Sequence, residues 1–168
     1  MVTTKWMFTV SVTADKPVLV GQDNVNGRRQ LINCPTGTVE GVDPDGNEFH
    51  GVTLPCTIDS QVIRPNGVAE LSARYGIRLD DGRSFYIENN GIRTVPPEYV
   101  ETVLNGGFVD PDLYYFVTTP KIEAYDDSLR WLMHMVLPRK EQPLPHREVR
   151  KPPLFLFREL KQIGRAHV

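Results

Sequence analysis

Cysteine is scarce in this chain. There are two, Cys34 and Cys56, a lone pair without CxxC spacing. That is no disulfide framework, and in a reducing compartment both are expected to be free thiols, packed in the core or inert. The four histidines (His50, His134, His146, His167) are scattered with no metal-ligand spacing, so no metal and no cofactor is expected. No apolar run is long enough to span a bilayer, and the N-terminal MVTTKWMFTVSVTADK lacks an apolar signal core and a cleavage site. No membrane association is expected, and the expected location is the cytosol. Charge of one sign is also lacking: the net charge of −2 argues against nucleic-acid binding, which needs a concentrated basic surface. There are no internal repeats. What remains, at 168 residues and 40 % hydrophobic, is a globular composition large enough for one cored domain.

The most legible stretch is Ala69–Thr94, AELSARYGIRLDDGRSFYIENNGIRT. Leu71, Ala73, Tyr75, Ile77 and Leu79 alternate with Ser72, Arg74, Gly76 and Arg78, which is strand spacing. Asp80-Asp81-Gly82 predicts a hairpin turn, because glycine tolerates positive φ. Ser84–Asn89 pairs back, with Phe85 and Ile87 on one face and Tyr86 and Glu88 on the other. Asn89-Asn90-Gly91 is expected to break that strand.

Lys5–Val12 alternates as a first strand, and Pro17 ends its pairing. Val18–Val20 is short and apolar. Gly21–Gly27 is a polar loop, from which Arg28–Ile32 leaves as a strand. Val42–Gly51 reads as an exposed hairpin excursion, and Cys56–Ile63 alternates again before the Pro65-Asn66-Gly67 turn. Val95–Val109 is the best helix candidate, with proline in its first turn and Gly106-Gly107 at its end. Asp110–Tyr114 reads as a loop. Tyr115–Glu123 is an interrupted strand, and Leu129–Leu137 an apolar strand with Trp131, Met133 and Met135 on one side. Leu154–Phe157 is a last strand. The domain is expected over 1–158, with 159–168 a basic, disordered C-terminal tail. Eight to ten short strands and one short helix predict an all-β fold, a single antiparallel β-barrel, closed so that no edge is left to pair.

The order NGRRQLI, TGTVEG, GVTLPCTIDSQVIRPNGVAELSARYGIRLDDG, IENNGIR and YYFVTTPKIEAYDDSLRWLM resembles a bacterial and fungal family, domain-of-unknown-function family 3237. The resemblance runs from Phe8 to Phe157 and is most specific over Asp59–Arg93. It implies a small calycin-like barrel, often self-associating, so a homo-oligomer is expected. Fungal members look associated with specialised, polyketide-type metabolism, including lactonisation to α-pyrones. The chain departs from the pattern in places. Cys34-Pro35-Thr36-Gly37 keeps only the last glycine of the usual Gly-Gly. Pro55–Ser60 stands where Gly-Gly-Ala-Asp-Trp is usual, keeping Asp59 but having Ser60 for the Trp. Val117 stands for an Arg and Met133 for an Asn. If that Trp and Arg belong to a common pocket, this one has a smaller stacking surface and one cation fewer.

Asp59 is the sharpest candidate. A carboxylate is unusual in mid-strand, and desolvated inside a barrel it could take a proton near neutral pH. The structural alternative is an Asp facing water or paired with an Arg. Arg29 or Arg74 would stabilise an enolate or carboxylate oxygen, and Tyr75 could donate a hydrogen bond. Arg28, Gln61, Arg93, Glu123 and Trp131 are the candidate substrate-binding residues. Arg28 and Arg29 must point to opposite faces of their strand, so at most one of them reaches the lumen. Any single Arg here is more often a solvated surface group, and a strand Tyr more often core. A cysteine nucleophile finds no marked histidine to activate it, and His134 in an apolar stretch is more often simply packed. The expected function is a cofactor-independent cyclase, lyase or isomerase acting on a small apolar molecule with a carbonyl or carboxylate. The alternatives are a non-catalytic ligand carrier on the same barrel and an interaction protein with a filled interior.

Overall fold

The computed structural model describes residues 2–104, 109–134, 139–140 and 154–162. The described residues form an antiparallel all-β structure of eleven strands. These are β1 (Val2–Thr13), β2 (Val18–Asp23), β3 (Gly27–Asn33), β4 (Thr36–Val42), β5 (Glu48–Thr53), β6 (Ile58–Ile63), β7 (Val68–Leu79), β8 (Ser84–Thr94), β9 (Tyr115–Ala124), β10 (Arg139–Lys140) and β11 (Leu154–Gln162). One α-helix, α1 (Pro97–Leu104), follows β8, and 3-10 turns cover Pro111–Leu113 and Asp127–His134. No described helix is long and apolar enough to cross a membrane.

Strand β7 organises the sheet. Its burial alternates residue by residue, with Ala69, Leu71, Ala73, Tyr75, Ile77 and Leu79 buried and the residues between them less so. One edge pairs with β8 along nearly its whole length. The other edge is shared: Ala69–Arg74 pair with β6, and Ile77–Leu79 pair with β5. The handover falls at Gly76, whose carbonyl accepts the Leu54 amide at 2.7 Å. A Cβ on Gly76 would lie 3.1 Å from Leu54 Cδ1, so the bare backbone makes room for the chain that leaves β5 for β6. Beyond β5 the path runs β4, β1, β11; beyond β6 it runs β3, β2; beyond β8 it runs β9, β10.

The sheet curls around a core. Phe8, Val10, Tyr75, Ile77, Phe85 and Ile87 are all at most 1 % exposed. Phe8 and Phe85 meet edge to face with ring centroids 5.9 Å apart. Barrel-like describes the curl, but β10 and β11 stand at the two ends of the path with no ladder between them among the described residues, so the expected closed barrel is corrected to an approximate one.

Three further expectations change. Strand β8 does not break at Asn89-Asn90-Gly91 but continues in register with both neighbours to Thr94. Leu129–His134 lie in the 3-10 turn rather than a strand: the Asp126 carboxylate accepts the Ser128 amide at 2.9 Å and starts it, and Leu129 and Leu132, three residues apart, turn into the core. The exposed excursion at Val42–Gly51 shrinks to the tip at 43–47, because Phe49 is buried on β5. The expected end of the long helix at Gly106-Gly107 lies outside the described residues. Strand β11 runs to Gln162, into the stretch expected to be tail.

Candidate functional site

The ladders sort every side chain of β3, β6, β7, β8 and β9 to one face, because directly opposed residues point the same way. The buried side of β7 defines the inner face. Three rows cross it. The first is Arg28, Ile63, Ala69, Arg93, Phe116. The second is Gln30, Gln61, Leu71, Gly91, Thr118. The third is Ile32, Asp59, Ala73, Asn89, Pro120. Below it Tyr75, Ile87 and Ile122 begin the apolar core. The interior therefore has a polar end and an apolar end.

The polar end is held in a fixed arrangement. Gln30 Nε2 donates to Gln61 Oε1 at 3.0 Å, and Gln61 Nε2 donates to Asp59 Oδ2 at 2.6 Å. The amide of Gln61 thus orients the carboxylate, and that of Gln30 orients Gln61. Gln30, Asn89 and Thr118 are each 2 % exposed. Even so, Gln30 Oε1, Asn89 Oδ1, Thr118 Oγ1, Arg28 Nε and Arg93 Nε are withdrawn from solvent with no hydrogen-bond partner among the described residues. Each such group left unsatisfied costs about 1–3 kcal/mol, so the run of them on three adjacent rows makes this end of the inner face the candidate site. Arg93 lies over the Phe116 ring at 5.9 Å, which fixes its guanidinium without neutralising it. Gly91 brings β9 close: a Cβ there would lie 2.9 Å from Thr118 Cα.

Of the residues singled out in the sequence, Asp59, Gln61, Arg28, Arg93 and Tyr75 share this inner face. Tyr75 is 1 % exposed, at the boundary with the apolar core. Arg29 and Arg74 do not join them. Register puts Arg29 opposite Val62 on the outer face, where Nη1 donates to Ser60 Oγ at 3.0 Å. Arg74 is outside beside Glu88, 3.9 Å away. Both are excluded from the surroundings of Asp59 by strand parity. Glu123 is also outside and accepts the Tyr125 hydroxyl at 2.9 Å. Trp131 packs on Phe49 at the apolar end, ring centroids 6.5 Å apart. Gln30, Asn89 and Thr118 were not legible as site residues. Gln30 could have been found by parity with Arg28, and Asn89 by carrying the β8 alternation through the apparent turn.

Cys34, near Asp59, is buried, and burial together with the Asp59 and Asp15 carboxylates pushes its thiol up to about 11. That removes it as a nucleophile at neutral pH. Two recesses open on the surface. One, of about 750 Å³, lies at the rim beyond the first row, between Pro65–Gly67 and Thr94–Pro97. The other, of about 570 Å³, lies on the outer face beside Arg29, Ser60 and Val117. Ser60 and Val117 both line this outer groove. The inner face carries the stronger chemical signal, because several of its polar atoms are withdrawn from solvent without a partner among the described residues.

Comparison with known proteins agrees with this architecture. An uncharacterised protein of Clostridium acetobutylicum, named UPF0311 protein, is 55 % identical over 130 residues, 77 % of this chain and 79 % of its own. A UPF0311 protein of Bradyrhizobium diazoefficiens is 36 % identical over 79 % of this chain and 83 % of its own. A crystal structure of a protein with unknown function from Clostridium acetobutylicum superposes with TM-score 0.79 at 46 % identity, covering 96 % of this chain and 100 % of that one. A β-barrel-like protein from Acinetobacter baumannii gives 0.70 at 26 % identity, covering 96 % and 97 %. An enzyme from Penicillium herquei shares the fold at 0.65 with 11 % identity, covering 95 % of each chain. The profile of the family described as "Protein of unknown function (DUF3237)" matches residues 2–137, and the chain belongs to that family.

Proposed function

We propose that the polar end of the inner face binds a small organic molecule and that Asp59 acts on it as a general base, without cofactor or metal. The observation that carries this reading is the run of buried polar atoms with no partner around an oriented carboxylate. In the specific version, Asp59 takes a proton from a hydroxyl or activated carbon. The freed oxygen or carbon attacks an ester or thioester carbonyl of the same molecule, and the leaving alcohol or thiol takes the proton back. Ring closure of this lactone or pyrone type, of cyclase, lyase or isomerase class, fits a cytosolic enzyme of polyketide-type metabolism. The cationic role expected of Arg29 and Arg74 passes to Arg28 and Arg93, whose guanidinium groups can hold a developing oxyanion. The apolar core below the third row gives a carbon skeleton its wall. The rival reading is a carrier that binds and releases the same molecule unchanged. Self-association through β2 completes the proposal.

The test incubates the native protein, Asp59→Asn and Arg29→Ala with an extract of the producing organism and compares masses and retention times. Turnover is expected with the native and Arg29→Ala proteins and not with Asp59→Asn. Full turnover by Asp59→Asn removes the base. A compound that co-purifies unchanged with all three makes the protein a carrier. Loss in Arg29→Ala alone moves the site to the outer groove.

A further inference from the structure

The inner face is not uniformly polar, and its polarity has a direction. Among the described residues it carries three charged side chains: Arg28 and Arg93 in the first row, and Asp59 in the third. Neither arginine has an ion-pair partner among the described residues, and each keeps a buried Nε without an acceptor. Rows two residues apart along a strand are about 6.7 Å apart, so the guanidinium row and the carboxylate row are separated by about 13 Å of backbone. Between them the unpartnered atoms change character. Gln30 Oε1 and Asn89 Oδ1 can only accept, and Thr118 Oγ1 can do either. A ligand that satisfies this face offers acceptors to the first row and donors to the second and third.

We infer that the ligand is an organic anion carrying a hydroxyl or enol group at its far end, bound with its anionic oxygens at Arg28 and Arg93 and its hydroxyl at Gln30, Asn89 and Thr118. This rests on the small-molecule reading above and gives it an orientation. The anionic end stays at the rim, next to the recess at Pro65–Gly67, and the uncharged, hydroxyl-bearing end is the one delivered to Asp59. The reverse orientation sets a carboxylate against the Asp59 carboxylate and leaves both guanidinium groups unsatisfied, so repulsion and desolvation both oppose it. The same asymmetry selects substrates: a neutral ester of the same skeleton loses the charge-assisted bonds of the first row, and a deoxy analogue leaves the second and third rows unpartnered.

The probes are para-hydroxyphenylpropionate, its methyl ester and phenylpropionate, titrated into the full-length protein. The side-chain amide signals of Gln30, Gln61 and Asn89 report the inner face, and that of Asn90 the outer. The hydroxy acid is expected to shift the inner signals and to bind about ten-fold more tightly than its ester or the deoxy acid, a difference near 1.4 kcal/mol. Arg93→Gln or Arg28→Gln is expected to bring the acid down to the ester while leaving the ester unchanged. These two half-buried positions are chosen because they leave the core intact, and Asn89→Ala serves as the hydroxyl-side variant. Inner signals that shift equally for acid and ester overturn the orientation and leave the small-molecule site standing. Shifts confined to Asn90, or no shift with any probe, overturn the site itself.

Discussion

Strand parity decides which side chains can act together, and it does so one residue at a time. Arg28 and Arg29 are adjacent and both look suited to hold an oxygen, yet only Arg28 reaches the face that carries Asp59. The sequence showed that the two must diverge; it could not show which side was inside, because Arg28, Gln30 and Ile32 are as mixed in polarity as Arg29, Leu31 and Asn33. Asn89 was the opposite failure. Asparagine before asparagine and glycine has turn chemistry, but here ladders on both sides outvote local preference. Cys34 shows how burial silences chemistry. Its thiol, held near 11, stays protonated at neutral pH, whereas Cys56 is exposed. Native protein treated with iodoacetamide at neutral pH is expected to gain one adduct, at Cys56, and the second only after unfolding. Rapid double labelling seen by mass spectrometry contradicts the burial of Cys34. Because the folded thiol is raised above its ordinary 9.0, the native state also binds a proton that the unfolded chain releases, so stability falls as pH rises from about 9 towards 11.

At the scale of elements, the hairpins were the best-read parts of the chain, and their chemistry repeats. Asp23, Asp43 and Asp81 each turn a carboxylate back onto backbone amides: Asp23 to Val25 and Asn26, Asp43 to Asp45 and Asn47, Asp81 to Arg83. A glycine at positive φ follows each, Gly27 at 82°, Gly46 at 89° and Gly82 at 92°. Asp126 does the same for Ser128 at the mouth of a 3-10 turn, where no hairpin follows. Local signals of this kind lie within a few residues and are visible without a structure. The hydrogen bonds hold the carboxyls below their ordinary range, led by the side chains of Asn26 for Asp23, Asn47 for Asp43, Arg83 for Asp81 and Ser128 for Asp126. A group lowered on folding stabilises the fold above its unfolded value and loses that contribution as pH falls through the folded one. Carboxyl-carbon shifts followed from neutral to acid pH are therefore expected to place all four midpoints below the reference value of 3.8, with the turns intact at pH 4. A midpoint at or above the reference for any of them means that turn is not formed as described. The 3-10 turn at Leu129 was missed because an apolar run of that length fits a buried strand as well as a helix until the cap at Asp126 is weighed.

At the scale of the whole molecule, an incompletely closed sheet leaves an edge, and the chain does little to blunt the one at β2. Val18, Leu19 and Val20 are 64 %, 53 % and 62 % exposed, and among the described residues β2 pairs with β3 alone. Apolar side chains on both faces of an edge strand are the pattern that recruits a further strand. A second copy of the same strand fits it by charge. Antiparallel pairing about Leu19 and Val20 sets Lys16 of one chain opposite Asp23 of the other, twice, and places Leu19 against Val20 across the two-fold axis. The full-length protein is accordingly expected to elute as a dimer at micromolar concentration. Leu19→Lys, which puts a charge at the centre of that pairing, is expected to shift it to a monomer that keeps the native far-ultraviolet circular dichroism, with a melting temperature lowered only by the lost association. A native protein that is monomeric throughout, or a dimer that survives Leu19→Lys, rules out this edge. The edge pairing runs through β2, whereas the inner-face rows lie on β3, β6, β7, β8 and β9, so loss of the dimer is expected to leave the binding of para-hydroxyphenylpropionate unchanged. If binding disappears with the dimer, the site includes residues of the second copy, and the polar rows of the inner face are one part of it.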